Sequence, residues 1–375
     1  MSRLPTFDPG FSTEKLARIY SPDGTVGAML EFEAALALAL ADAGIAPLAE
    51  AELVASACEG GVGDAQSILT STWDTGTPIL ALHAAIVAKV GDEAASHWFH
   101  FGATTQDTVD TAQMLQAGSA LDSLTNGLAS IASRLRDLTV AHRERAHSGR
   151  TFLQEARPTT FGLRTATWLS AVLGHLSDLR TLRQGLVVQL GGPVGALEGY
   201  GEDATAVVEA LARRLGLKAP GISWHGNRSQ IWALAHSVSR TAGTMAKIGS
   251  DIALLASTGI GEISVRSGGS SSMPGKENPI DSFRAVAASA ACSGAMAMLS
   301  SAPPFELDRG VGGWHVEWLA LPLVFQTAAA AVEAIDISVG ALEPVGPDTR
   351  AEDAVIAGSS GQIDNVLSEA DRALA

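Results

Sequence analysis

The stretch Leu121-Asp-Ser-Leu124-Thr-Asn-Gly-Leu128-Ala-Ser-Ile131-Ala-Ser-Arg-Leu135-Arg-Asp-Leu138 sets its apolar residues at steps of 3, 4, 3, 4 and 3. Such steps keep one face of an α-helix apolar turn after turn, a seam that is satisfied only by burial against other helices. Followed outward until the pattern stops, the helix runs roughly from residue 107 to 147, about 60 Å at ~1.5 Å per residue. A rod of that length needs neighbours along its whole course. Residues 158–190, 229–258 and 279–301 carry apolar residues at helical spacing with no internal proline. Residues 314–342 read the same way, with Pro322 expected to kink the helix or divide it in two. Upstream, 26–43 is a helix that stops at Gly44. Residues 60–78, rich in Gly, Thr, Asp and Ser, read as loop, and the chain end beyond 343 as a small cap or frayed tail. The expectation is an all-α, elongated long-helix bundle. It comprises an N-terminal helical domain over 1–103, a central bundle over 104–342 and a short C-terminal remnant over 343–375.

Composition agrees. Hydrophobic residues make up 46% of the 375 and aromatics only 5%, a mixture that favours helix over strand. The formal net charge of −15 argues against nucleic acid, whose phosphates call for a basic surface. A small anionic substrate would have to be held by a local cluster of Arg and Lys working against the overall field. Cys58 and Cys292, far apart, form neither a disulfide framework nor a zinc pattern and read as buried small residues. His142 and His147 are five apart, off one helix face, and make a poor metal pair; no metal and no organic cofactor is expected. Residues 1–6 lack the apolar run of a signal peptide. The longest apolar stretch, 319–335, is interrupted by Gln326 and Glu333 and is short for a membrane span. The chain thus reads as soluble and cytoplasmic, with no membrane partner.

The segment Ser267-Gly-Gly-Ser-Ser-Ser-Met-Pro-Gly-Lys-Glu-Asn-Pro279 stands apart from this helical background. Its glycines and hydroxyls cannot pack a core, yet it joins two long helices, which suggests a loop that closes over a ligand. Lys276 offers a point charge and Asn278 an amide donor, and Pro279 sits where a first-turn proline opens a helix whose N–H groups can meet an anion. A phosphate-binding P-loop is excluded by spacing, since five residues separate Gly269 from Gly275 and Glu277 follows Lys276 where Ser or Thr should hold magnesium. No Gly-x-Ser-x-Gly nucleophile elbow occurs either.

Gly269–Pro279 resembles the G-S-S-x-M-P-x-K-x-N-P loop of the fumarase/aspartase superfamily. Two further blocks are similar to its other active-site segments: His100-Phe-Gly-Ala-Thr-Thr-Gln-Asp-Thr-Val-Asp-Thr111 and Gly149-Arg-Thr-Phe-Leu-Gln-Glu-Ala-Arg-Pro-Thr-Thr-Phe-Gly162. Within the superfamily, Gln106-Asp107 after the two threonines, Phe161-Gly162, Trp224-His225-x-x-Arg228, Phe283 and Trp314-His-Val-Glu-Trp318 look like the 3-carboxy-cis,cis-muconate cycloisomerase group. That resemblance implies β-elimination and addition through an aci-carboxylate, which fixed cations and N–H donors must stabilise.

By the same resemblance Ser270 is the base, activated wholly by its surroundings, and Lys276 and Asn278 bind the carboxylate being charged. Thr104, Thr105 and Gln106 hold a second carboxylate. Arg150, His225, Arg228 and Arg309 are candidate cations for a polycarboxylate, and His100 is a donor candidate. Thr151, Gln154 and Ser271 complete the substrate-binding set, with His100 and His225 counted beside Ser270 as catalytic candidates. Asp107 and Asp110 are expected to cap and orient the helix start. The resemblance also implies a homotetramer whose sites combine residues from several subunits. Phe152, Glu277, Leu307 and Asp308 depart from the family pattern near the expected pocket. They keep open a sister lyase acting on a substituted succinate, and a catalytically silent helical scaffold.

Overall fold

The computed structural model describes residues 8–266, 268–302, 305–310 and 312–375; the N-terminal residues read for a signal sequence, and Ser267 of the loop, lie outside the described residues. In chain order the helices are α1 (Glu14–Ile19), α2 (Pro22–Asp42), α3 (Leu48–Glu59), α4 (Ala65–Thr70), α5 (Thr72–Thr75), α6 (Ile79–Val90), α7 (Glu93–Ser96) and α8 (Thr105–Ala141). They continue as α9 (Phe161–Gln184), α10 (Ala204–Leu215), α11 (Ser229–Leu255), α12 (Ile280–Ser301), α13 (Gly313–Gly340) and α14 (Asp353–Leu374). Two short antiparallel ribbons join them: β1 (Ala146–Thr151) with β2 (Gln154–Thr160), and β3 (Ile263–Ser264) with β4 (Glu343–Pro344).

The heptad seam becomes α8, 37 residues and about 55 Å long at ~1.5 Å per residue. Leu121, Leu124, Leu128, Ile131 and Leu135 are fully buried, and Leu138 packs half-buried against the same core. α8 packs on α9, α13 and α2, and α11 on α9, α12 and α13. The starts of α8, α11 and α13 meet where Arg228 and Trp314 both donate to Asp110. Far along, Ser130 and Arg134 of α8 reach Asp336 near the end of α13. These three helices therefore run one way. α9 and α12 run back between them: Gly162 N–H donates to the His142 carbonyl at the end of α8, and Ser282 at the start of α12 meets Ser338 at the end of α13.

Four expectations need correction. The long helix ends at Ala141, and residues 146–160 form a hairpin before the next helix begins at Phe161. Gly149 permits it, because a Cβ there would lie 2.4 Å from the Arg157 carbonyl, and Pro158 with Thr159 and Thr160 favours extended backbone. Residues 60–78 are not all loop: Asp64 accepts from Ser67 N–H and starts α4, and α5 follows. The chain end is a 22-residue helix, docked by buried Ile363 and Ala370 and by the ion pairs Arg143–Asp364 at 2.6 Å and Arg136–Asp371 at 2.7 Å. Pro322 does not divide α13.

By length and composition α2, α12 and α13 could each cross a membrane, but 61, 44 and 67% of their most apolar windows are buried inside the bundle. The apolar surface of α2 and α13 is thus largely spent on packing, while α12 keeps an apolar outer face.

Candidate active site

The first block is assembled at the start of α8. Thr104 is the extended residue before the helix (φ −133°, ψ 159°), and Asp107, fully buried, accepts its N–H at 3.0 Å. The same carboxylate accepts from Gly192 N–H at 2.9 Å and pairs with His225 Nε2 at 2.7 Å. Asp107 therefore ties together three segments that are far apart in sequence, the capping role expected of it and more. Gly192 can serve because its φ of +71° suits glycine. Gly191 leaves room for the imidazole, since a Cβ there would lie 2.7 Å from His225 Cε1. Arg309 donates to the carbonyls of Gly192 (3.4 Å) and Pro193 (2.6 Å), which brings it to the same place. Thr105 shares a 2.7 Å hydrogen bond with the Thr77 hydroxyl.

His100 stands beside this group in the left-handed region (φ 58°). Its Nδ1 lies 2.7 Å from Glu33 Oε1, a fully buried carboxylate that also accepts from Thr108 at 2.8 Å. Burial pulls the His100 pKa down, but the charge and hydrogen bond of Glu33 outweigh it, and the net shift is upward. His100 is thus disposed to carry a positive charge next to the threonines.

Two residues expected to hold substrate are committed inward. Arg228, almost fully buried, donates to Asp110 at 2.6 and 2.9 Å and to Glu317 at 3.1 Å, and its guanidinium lies over the Trp224 and Phe305 rings at 4.8 and 5.2 Å. Trp314 Nε1 also donates to Asp110 at 2.8 Å. Burial alone would lower the Arg228 pKa, and the two carboxylates raise it overall; burial raises that of Glu317. Gln106 is fully buried too, donating to Asp110 at 3.1 Å and to the His225 carbonyl at 3.0 Å. Both are thus committed to buried partners beneath the site.

The second block lies beyond the other end of α8, in the hairpin. Arg150 makes a two-pronged contact with Glu262 at 2.7 and 3.0 Å and a further one with Glu155 at 3.2 Å, so its charge is also largely answered. Burial, reinforced by Arg164 and Arg150 against the opposing pull of Glu262, lowers the neighbouring His147 to about 4. Thr151 and Gln154 pair across the turn and are exposed. The turn itself is Phe152-Leu153, both at positive φ (52° and 62°), with Phe152 99% exposed.

The third block is the loop between α11 and α12. Its base is closed by Gly268 and Asn278, which exchange backbone hydrogen bonds at 2.9 and 3.1 Å. Ser271 and Lys276 are exposed and Ser270 is half-buried. Ser270 Oγ already accepts from Met273 N–H at 3.1 Å and Ser272 N–H at 3.4 Å, an arrangement that favours an alkoxide over a hydroxyl. Glu262, on the approach to this loop, is the partner of Arg150, so the second and third blocks share one end of the bundle. The first block sits at the other, with α8 between them. Among the described residues no group of three or more His, Cys, Asp or Glu could hold a metal ion.

Sequence reading missed Glu33 and Thr77. For Glu33 a signal existed, a carboxylate on the apolar face of 26–43; Thr77 gave none.

Comparison with known proteins adds to this geometry. The profile of the family described as Lyase matches residues 11–292. A 3-carboxy-cis,cis-muconate cycloisomerase of Pseudomonas aeruginosa is 35% identical over 360 residues, 93% of this chain and 78% of that protein. One of Pseudomonas putida is 34% identical, over 84% of this chain and 76% of that protein. The crystal structure of the 3-carboxy-cis,cis-muconate lactonizing enzyme from Pseudomonas putida superposes with a TM-score of 0.90 at 28% identity, covering 99% of this chain and 100% of that one. With likeness running through the fold and nearly the whole length, the chain belongs to the lyase family, among the 3-carboxy-cis,cis-muconate cycloisomerases.

Proposed function

We propose that the chain interconverts 3-carboxy-cis,cis-muconate and its carboxymuconolactone, an intramolecular elimination and addition in the protocatechuate branch of aromatic degradation, carried out in the cytoplasm. The observation that carries this is the 93% coverage by a cycloisomerase relative together with a Ser270 hydroxyl held under two N–H donors. In the lactone-forming direction a substrate carboxylate oxygen adds to the conjugated double bond and the neighbouring carbon takes a proton. In reverse, Ser270 as alkoxide removes that proton, the charge passes into the adjacent carboxylate, and the ring carboxylate leaves. Lys276 and Asn278 stabilise the dianion, while Thr104, Thr105, His100 and Arg309 hold the remaining carboxylates. In the lactone-forming direction the Ser270 hydroxyl returns that proton to carbon, and His225, fixed by Asp107, is the candidate proton donor to the leaving carboxylate in the reverse.

Such a site needs more than one chain. The Ser270 loop and the threonine block lie at opposite ends of a helix about 55 Å long, so they meet only when copies pack side by side. The outer face of α12 suits that packing: Phe283, Val286, Ala287, Ala290, Ala291, Gly294 and Ala297 are all exposed and none is charged. A homotetramer with shared sites is the arrangement we favour.

The test follows the ultraviolet absorbance of 3-carboxy-cis,cis-muconate. Wild type consumes the conjugated diene, and Ser270→Ala, equally folded, loses that activity by at least ~10³-fold. If wild type leaves the diene intact yet eliminates from a substituted succinate, the sister-lyase reading replaces this one.

A further inference from the structure

The buried face of α2 is apolar but for one carboxylate. Glu33 is fully buried and forms one ion pair among the described residues, from His100 Nδ1 to its Oε1 at 2.7 Å. The Thr108 hydroxyl donates to the same oxygen at 2.8 Å, and Oε2 has no partner among the described residues. Enclosing a carboxylate so completely is costly unless an opposite charge faces it, and His100 is the group placed to supply one. His100 itself is held at φ 58°, a backbone that a non-glycine residue keeps only where its surroundings impose it. The start of α8 is already capped by Asp107, so the pair is not needed there as a cap.

The pairing fixes where the protons of the ring sit. An ionised carboxylate can only accept, so Nδ1 must carry a hydrogen. In a neutral imidazole Nε2 is then a bare acceptor, which a substrate carboxylate would avoid. Nε2 becomes a donor only when the ring is doubly protonated. The hydrogen bonds of the ring all fall on Nδ1, and 16% of the side chain stays open, so Nε2 is left for a ligand. The other titratable groups around the pair do not supply the positive charge. Burial pushes the Cys58 thiol of α3 and the Tyr200 phenol up, which keeps both neutral, and Asp107 of α8 already has His225 at 2.7 Å.

We propose that Glu33 is a positioning residue for substrate recognition: by holding the Nδ1 proton it lets His100 bind a substrate carboxylate only as an imidazolium. The inference rests on the place given above to His100 in holding a carboxylate. What Glu33 adds is a charge-assisted hydrogen bond, stronger than the neutral one that a free imidazole could turn towards the substrate. It also brings pH dependence, because binding at a pH where the ring is neutral must take up a proton. With glutamine at this position the amide can donate to Nδ1, the single ring proton moves to Nε2, and a neutral ring meets the substrate.

The test measures kcat and KM for consumption of the diene between about pH 6 and 9.5, beside a carbon-13 titration of the His100 ring, whose signal is identified by its loss in His100→Asn. In wild type 1/KM should hold steady below the raised pKa of the ring and fall about tenfold per pH unit above it. Glu33→Gln should move that fall and the ring titration together to lower pH by about one unit or more. It should also raise KM about tenfold near neutral pH, with the larger part of the loss in KM rather than kcat. Glu33→Asp, which keeps the charge, should recover part of both. A ring titration unmoved in folded Glu33→Gln, or a loss confined to kcat with the pH profile of KM in place, would overturn the proposal and leave Glu33 a structural residue. The double variant Glu33→Gln/His100→Asn removes both charges and serves where glutamine alone does not fold. Its KM should match that of His100→Asn, and a further rise would count equally against the proposal. Should wild type leave the diene intact, the reaction proposed above fails, while the ring titration still decides whether Glu33 holds the Nδ1 proton; KM is then read on the substituted succinate.

Discussion

Arg228 reaches two carboxylates with 4% of its side chain exposed, whereas Arg240 reaches Asp178 with 65% exposed. The same kind of pair thus has different consequences. Removing Arg228 leaves Asp110 and Glu317 facing each other without a cation in a dry interior, so Arg228→Leu should cost roughly 3–5 kcal/mol. Arg240→Ala should stay within about 0.5 kcal/mol. Urea midpoints at constant m-value distinguish the two.

Two histidines act on stability in opposite pH windows. His100 has its pKa raised in the fold, so its pairing with Glu33 contributes fully below the unfolded value of about 6.5 and fades as pH climbs through the raised one. His147 is lowered to about 4, so stability is complete above about 6.5 and declines as pH falls towards 4. In urea melts taken across this range, His100→Gln should flatten the alkaline limb and His147→Gln the acidic one. An alkaline limb unchanged by His100→Gln would mean that Glu33 does not hold a proton on that ring. None of this was legible beforehand. A residue's type and its motif are local, but its titration depends on what folds against it, here a glutamate 67 positions away.

Elements were more legible. The seam of α8 appears in sequence because a fully buried face must repeat at the helical period. The hairpin at 146–160 does not, because its polar residues follow no period and its turn is made by Phe152-Leu153 rather than by turn formers. α14 was underread because few of its residues are buried, and its docking relies on the ion pairs of Arg143 and Arg136. Helix contacts also set which glycines are indispensable. A Cβ on Gly249 of α11 would lie 2.9 Å from the Ser282 carbonyl of α12, whereas one on Gly243, in the same helix, would meet nothing within 4 Å. Gly243→Ala should therefore stabilise by about 0.5–1 kcal/mol through helix propensity. Gly249→Ala should destabilise by roughly 1–3 kcal/mol as the two backbones are forced apart. Thermal melts of the pair would show opposite shifts.

For the whole molecule, the three motifs were readable, and the shared sites expected from their resemblance fit a chain that keeps them at two ends of one bundle. Subunit mixing tests this directly. Ser270→Ala and Thr105→Val chains should each be inactive, and refolding them together should restore activity above either parent. A mixture that stays inactive, with hybrids present by native mass spectrometry, would mean that each site is built within one chain.

The Asp110–Arg228–Glu317 cluster also sets a schedule for synthesis. Asp110 leaves the ribosome early, but Arg228 follows it by 118 residues, about 6–24 s at ~5–20 residues per second. Until Arg228 arrives, the start of α8 cannot be enclosed without trapping an unanswered charge, so the nascent chain must keep that end open and wetted. A buried ion cluster of the finished protein is thus also what delays its closure, and a chain stalled before residue 228 would present chaperones with a half-built and still hydrated bundle.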